Sequence, residues 1–297
     1  MMPLLFSLDD AHPLLSPLCR GLHADAGRLE RRRFPDGESY LRIHNEVTGR
    51  PVLVLADLSH PDDKFLPLSF LCDTLKEMGA SQVGLVAPYL CYMRQDCRFH
   101  SGEAVTSRTF ARLLSQQVDW LVTVDPHLHR YHSLDEIYRV PSTVVQAAPL
   151  LADWLGERQE PLLLVGPDAE SEQWVSQIAA RSGHDYVVGS KVRSGDRQVT
   201  VQLPDLSAWH RHTALIIDDV ISSGQTVLRC LQALRAQGLN RVDCAAIHGL
   251  FADRIEQQLT DNGLRRLITT NAITHPSNTI DLSPLLLAPI RKHLAAS

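Results

Sequence analysis

Short apolar runs alternate with amphipathic stretches along most of this chain, and that alternation limits the possible folds more than any other feature. Val52-Leu53-Val54-Leu55 predicts a strand, and Leu66–Met78 follows with helical spacing and stops at Gly79. Gln82–Ala87 predicts a strand, Thr106–Gln117 a helix and Trp120–Val124 another strand. The pattern then starts again. Ala147–Leu155 predicts a helix, Pro161–Val165 a buried strand, Ser171–Arg181 a helix, and Tyr186–Lys191 and Val199–Leu203 two strands. Ala214–Ile217 predicts a strand, Thr226–Gln237 a helix and Val242–Ile247 a strand. Strands that alternate with helices build a mostly parallel sheet covered on both faces. The expected class is α/β, in two halves of similar size, residues 1–145 and 146–297, joined near Pro141–Pro149. The tail, 281–297, carries Leu285-Leu286-Leu287 in a short amphipathic helix that can pack back on the first half.

Bulk properties narrow the class further. A chain of 297 residues, 44% hydrophobic and 21% charged, can bury a sizeable core without metal or disulfide staples. The formal charge is −5, and no basic stripe suggests duplex nucleic acid as a partner. Arg31-Arg32-Arg33 reads as a solvated strand edge or loop. The six cysteines form no C-x-x-C pair, which fits free buried thiols in a reducing compartment. Met1–Pro17 lacks a basic leader region and reads as a first strand and turn. No apolar run reaches the length of a membrane helix. These features together lead us to expect a cytoplasmic enzyme without a membrane partner.

The chemistry concentrates in Leu215-Ile216-Ile217-Asp218-Asp219-Val220-Ile221-Ser222-Ser223-Gly224-Gln225-Thr226. A buried strand is expected to end in two carboxylates, followed by a loop of hydroxyls and glycine and then a helix. Ligands of open α/β sheets bind beyond the carboxyl ends of strands, and free N–H groups at a helix start hold anions. Ser222, Ser223 and Thr226 add donors there, and Gly224 lets the backbone approach closely. A phosphate in this loop would be repelled by the acids unless they serve a neighbouring group. Ribose supplies one: Asp218 and Asp219 can accept from the 2- and 3-hydroxyls, or hold Mg²⁺. A helix cap would explain one of these residues but not the whole string.

This string resembles the ribose-phosphate loop shared by phosphoribosyltransferases and ribose-phosphate diphosphokinases, which make phosphoribosyl diphosphate (PRPP). Other segments are similar to the diphosphokinases in particular. Phe34-Pro35-Asp36-Gly37-Glu38 resembles F-x-D-G-E, a hairpin that in the family serves the ATP site across a subunit interface. Pro88–Arg98 resembles P-Y-x-x-Y-x-R-Q-D-K-R and contains Arg94, Gln95, Asp96 and Arg98; Gly102-Glu103 before a helix also matches. Asp125-Pro126-His127 resembles D-x-H, whose His is a metal ligand in the family. Lys191-Val192-Arg193 resembles the K-x-R of a catalytic loop, and Thr270-Asn271 a late T-N motif. The resemblance runs over nearly the entire chain and lies closest to the shorter, archaeal-type members.

The resemblance implies two phosphoribosyltransferase-like domains, with the nucleotide side in 1–145 and the ribose 5-phosphate loop in 146–297. It implies transfer of diphosphate from ATP to the anomeric hydroxyl of ribose 5-phosphate, with PRPP and AMP as products, and a homo-oligomer. Lys191 and Arg193 would be catalytic. Phe34, Asp36, Glu38, Arg94, Gln95, Asp96 and Arg98 would bind nucleotide. Asp218, Asp219, Ser222, Ser223, Gly224, Gln225 and Thr226 would bind ribose 5-phosphate. His127 and Asp168 would hold Mg²⁺. His129, His132 and His248 are expected to be surface or packing residues rather than ligands, and no zinc motif is present.

Three positions depart from the family pattern. Cys97 stands where the family has Lys. Pro167-Asp168-Ala169-Glu170-Ser171-Glu172 stands where it has P-D-x-G, so Glu170 replaces a small residue near the expected pyrophosphate. Gln225 stands where the loop has a second Gly. These departures keep two alternatives open: a non-catalytic regulatory paralogue, and a related phosphoribosyl enzyme with an altered substrate.

Overall fold

The computed structural model describes residues 1–194 and 198–296. Its chain divides into two units. Unit 1 holds Met1–Gln146, Ala272–Thr274 and Leu282–Ser297, and unit 2 holds Ala147–Asn271 and His275–Asp281.

In unit 1 the elements run β1 (Leu4–Ser7), α1 (Leu15–Leu22), β2 (Asp25–Ala26), β3 (Leu29–Arg33), β4 (Ser39–Ile43), β5 (Pro51–Leu55), α2 (Pro61–Glu77), β6 (Gln82–Ala87), α3 (Thr106–Gln117), β7 (Trp120–Val124) and β8 (Ser142–Val145). Unit 2 follows with α4 (Ala148–Gly156), β9 (Leu162–Gly166), α5 (Glu172–Ser182), β10 (Asp185–Val188), β11 (Ser190–Ser194), β12 (Gln198–Gln202), β13 (Thr213–Ile221), α6 (Gln225–Ala236), β14 (Val242–Gly249), α7 (Ile255–Asp261), β15 (Arg266–Thr270) and β16 (Asn278–Ile280). The last helix, α8 (Ser283–Ala295), belongs to unit 1.

Each unit is built on a six-stranded sheet, in the orders β2-β1-β5-β6-β7-β8 and β10-β9-β13-β14-β15-β16. Every pairing in both is parallel. Parallel strands with helices on both faces must be apolar on both sides, and β6, β7 and β9 are buried at every position. On α3 the buried residues are Ser107, Phe110, Ala111 and Leu114, the spacing of one helix face. Gly84 lies under the Trp120 ring, so close that no Cβ could fit there. Trp120 in turn donates to Gln82 Oε1 (2.7 Å) and stacks on His293 of α8 at 6° between planes.

Three elements differ from the sequence expectation. Helix α2 starts at Pro61 rather than Leu66, because proline fits the first helical turn and Asp62 and Asp63 favour its positive N-terminus. The strand expected at Tyr186–Lys191 breaks at Gly189 into β10 and β11. A Cβ on Gly189 would press on the Pro167 carbonyl at 2.8 Å, so the chain turns where only glycine fits. Strand β13 runs four residues beyond Ile217, because β14 continues alongside it and pairs Asp218 with Ala246 and Ile221 with Gly249. Asp218 and Asp219 therefore lie within the strand, not at its end.

Candidate functional site

The extension of β13 shortens the phosphate-type loop to Ser222-Ser223-Gly224, and α6 begins at Gln225. Gly224 adopts φ +62°, and a Cβ there would collide with Ile255 of α7. This left-handed turn leads directly into the first turn of α6, whose N–H groups have no acceptor within the helix. Asp218, Ser222, Ser223, Gly224, Gln225 and Thr226 line a common cavity of about 180 Å³. Asp219 is outside that lining, and its Oδ1 accepts the Val220 N–H at 2.8 Å.

Asp218 still reaches the cavity, yet protein surrounds most of it. Burial first, then the neighbouring Asp219 and Asp168, push its carboxyl well above the usual range. Asp168 sits two residues past β9, where its Oδ1 accepts the Glu170 N–H (3.1 Å) and its other oxygen pairs with Lys191 Nζ at 2.5 Å. Its side chain is 13% exposed against 41% for Lys191. Lys191 is the second residue of β11, on the hairpin formed with β12. Arg193 lies on the same strand, but its side chain is outside the described residues. Glu170 and Glu172 are both exposed.

Asp168 and Asp219 repel the charge on Asp218, a repulsion that a hard divalent cation such as Mg²⁺ would offset, but the three carboxylates do not converge as one ligand set among the described residues. His127, the other sequence-derived ligand, belongs to unit 1 and packs edge-on against His129 with ring centres 4.2 Å apart.

The nucleotide-type residues of unit 1 fall into two groups. Phe34-Pro35-Asp36-Gly37-Glu38 closes the β3–β4 hairpin: Asp36 Oδ1 accepts the Glu38 N–H (3.2 Å), and Gly37 takes φ +95°. Phe34 is 39% exposed and meets Tyr40 edge-on, with the Arg32 guanidinium 4.7 Å from its ring centre. The second group lies between β6 and α3. Arg94 and Arg98 are exposed, and Arg98 donates to the Glu103 carbonyl at 2.7 Å. Gln95 is half-buried and Asp96 points inward, 3% exposed and paired with Arg130 at 2.7 Å. Sequence reading missed Arg130, since nothing in the chain signals a partner 34 residues from Asp96. It also missed how Glu103 Oε2 ties the loop by accepting the Phe99 and His100 N–H groups.

Comparison with known proteins agrees with this arrangement. Residues 3–117 match the N-terminal domain of ribose phosphate pyrophosphokinase, and residues 133–284 match the phosphoribosyl transferase domain. A ribose-phosphate pyrophosphokinase of Methanopyrus kandleri is 33% identical over 270 residues, covering 90% of this chain and 91% of that protein. The chain belongs to the ribose-phosphate pyrophosphokinase family. A second relative of that name, from Methanobrevibacter smithii, is 30% identical over 291 residues, covering 94% of this chain and 96% of its own. The crystal structure of phosphoribosylpyrophosphate synthetase from Mycobacterium smegmatis superposes with a TM-score of 0.84 at 26% identity, covering all of both chains. The chain is therefore an enzyme of this diphosphokinase family, with the paired parallel-sheet architecture expected of it. Among the described residues no helix is long and apolar enough to cross a membrane.

Proposed function

We propose that this enzyme transfers a diphosphoryl group from ATP to the anomeric hydroxyl of ribose 5-phosphate, giving PRPP and AMP, with Mg²⁺ as the metal. The observation that carries the reading is the cavity walled by Asp218 and by the Ser222–Thr226 turn. Its hydroxyls and backbone N–H groups suit a phosphate at one end, and its carboxylate suits sugar hydroxyls at the other. The 5-phosphate would accept from the Ser222, Ser223 and Thr226 hydroxyls, Gln225 and the N–H groups around Gly224. Asp218 and Asp219 would accept from the ribose hydroxyls.

In the reaction the anomeric hydroxyl oxygen bonds to the β-phosphorus and its proton is released to solvent. The bond from that phosphorus to the α–β bridging oxygen breaks, and AMP leaves with that oxygen. Charge spreads over the phosphoryl oxygens, so fixed cations do most of the catalysis. Lys191 and Arg193 fill that role. Asp168 and His127 are each proposed as Mg²⁺ ligands, and the metal would supply further neutralisation of the ATP phosphates. Phe34, Asp36 and Glu38 of the hairpin, with Arg94, Gln95, Asp96 and Arg98, would receive the nucleotide. Because the hairpin tip is exposed, we take the working form to be a homo-oligomer in which it serves a neighbouring copy, and the setting to be the cytoplasm. Residues 1–145 would form the nucleotide domain and 146–297 the ribose-phosphate domain, with the tail returning to the first.

Steady-state kinetics on Ser222→Ala and Thr226→Val test the loop assignment. Each hydroxyl lost from a charged phosphate is worth about 1.5 kcal/mol, or roughly tenfold. The KM for ribose 5-phosphate should rise by that factor while the KM for ATP holds. Unchanged KM for ribose 5-phosphate in both variants would remove the phosphate from this loop.

A further inference from the structure

Strands β6 and β7 pair in parallel, so the segments that follow them leave the same carboxyl edge of the unit 1 sheet. That edge is where open α/β sheets bind ligands. The nucleotide-type residues 94–98 lie on the first segment and His127 on the second. Three residues past His127 stands Arg130, which ties the second segment to the first through Asp96.

The two partners of that ion pair are unequal. The Asp96 side chain is 1% exposed, against 51% for Arg130. Asp96 Oδ1 accepts from Arg130 Nη1 at 2.7 Å, while Oδ2 is buried without a hydrogen-bond partner. The carboxylate therefore has no edge to offer a ligand arriving from solvent. The guanidinium is the opposite case. It carries five N–H donors, and among the described residues its side chain makes only the Asp96 hydrogen bond. Four donors of a half-exposed planar group are left for a ligand. Such a fork matches two oxygens of one phosphate, which a lysine ammonium cannot do.

Its position is fixed before any ligand arrives. Arg130 Cζ lies 5.2 Å from the centre of the exposed Phe99 ring, a contact that holds the guanidinium by its charge. The next residue, Tyr131, is buried and donates to the Asp96 carbonyl at 3.2 Å. The Tyr131 oxygen in turn accepts from Ser107 Oγ (3.1 Å) and Arg108 Nε (3.4 Å), and the Ser107 N–H donates to the Gln95 carbonyl at 3.3 Å. Both segments are thus clamped to the first turn of α3, and little ordering cost remains for binding. Cys97 is uncharged where the family pattern has Lys, so the cations of residues 94–98 are interrupted beside Asp96, where Arg130 meets it.

We propose that Arg130 binds the phosphates of the nucleotide, and that Asp96 serves the nucleotide through Arg130, as a positioning residue, rather than by touching it. The inference rests on the reading of residues 94–98 as nucleotide-binding and adds to it a residue from the second segment. Binding of MgATP to the full chain is measured by calorimetry without ribose 5-phosphate, with melting temperatures alongside. Arg130→Gln is expected to raise the Kd for MgATP by about tenfold or more, the loss of charged hydrogen bonds to phosphate. Arg130→Lys, which keeps the charge but not the fork, should lose less. In turnover, KM for ATP should rise with Arg130→Gln while KM for ribose 5-phosphate holds. Arg130→Gln alone strands a buried carboxylate, so the double variant Arg130→Gln with Asp96→Asn is measured beside it. That variant should melt close to the wild type and still bind MgATP as weakly as Arg130→Gln. Recovery of wild-type affinity in the double variant would mean that Arg130 only neutralises Asp96. Wild-type affinity in folded Arg130→Gln would mean that Arg130 does not touch the nucleotide. Either result overturns the proposal alone, whereas a wild type that binds no MgATP would overturn the nucleotide reading of residues 94–98 and this inference with it.

Discussion

Gly224 shows how one residue sets the phosphate-type turn. Its φ of +62° alone would cost alanine about 1 kcal/mol or more, and Ile255 leaves no room for the added methyl. We expect Gly224→Ala to lower the melting temperature and to weaken ribose 5-phosphate binding at least tenfold by calorimetry. Wild-type affinity in a folded variant would contradict this role. The same region was legible in sequence because its chemistry is local: two acids, three hydroxyls, a glycine and a helix start lie within nine residues. Partners distant in sequence were not legible. Lys64 with Asp9 and Asp57, Lys191 with Asp168, and Arg130 with Asp96 are brought together by the fold, and no periodicity announces them.

At the scale of elements, β6, α3 and β7 follow the apolar pattern residue for residue, since each is a clean buried run or a clean amphipathic face. The errors arise where polar residues continue a regular element. The start of α2 lies outside the helical spacing read from sequence because Pro61-Asp62-Asp63-Lys64 carries no apolar stripe, and β13 continues through two acids because β14 offers pairing partners. Strand β14 also carries a structural charge cluster. Asp243 is 1% exposed and meets Arg265 (2.8 Å) and Arg266 (2.7 Å). Burial pushes its carboxyl up, but the hydrogen bonds from the two arginines outweigh this and hold it below the usual range. Its stabilisation is then present above the unfolded value of roughly 3.9 and is lost as pH falls through the lower folded value. Asp243→Asn should cost ~2–3 kcal/mol near neutrality, less than a fully buried pair because both arginines remain partly in water. Thermal melts from pH 7 to pH 3 should show the gap to wild type closing only below about pH 4. A gap independent of pH would exclude the charge as its source.

The whole molecule repeats one topology, and the chain leaves unit 2 to finish in unit 1. Helix α8 packs on α1, β7 and β8, with Leu282, Leu286 and Ile290 fully buried. It approaches α1 so closely that Gly21 leaves room for the Leu287 side chain, and Arg291 donates to the Gly21 carbonyl at 2.6 Å. Each of those buried side chains is worth on the order of 1.5–3 kcal/mol. Removing residues 282–297 should therefore leave unit 1 unstable at 37 °C by circular dichroism, and a truncated chain with wild-type melting would contradict the packing account. The alternation of strands and helices foretold two parallel-sheet halves. The shared strand order and the matching hairpins could be seen only once the strands were paired.

The central claim concerns which phosphorus moves. Purified protein is incubated with Mg²⁺, ATP and ribose 5-phosphate and followed by ³¹P NMR, with Lys191→Ala alongside. The account predicts AMP and PRPP appearing together in equal amounts, and at least a hundredfold slower formation without the Lys191 ammonium, about 3 kcal/mol of transition-state stabilisation. ADP in place of AMP would mean transfer of a single phosphoryl group, and no turnover with any nucleoside triphosphate would mean a protein that binds these ligands without joining them. Either result contradicts the account.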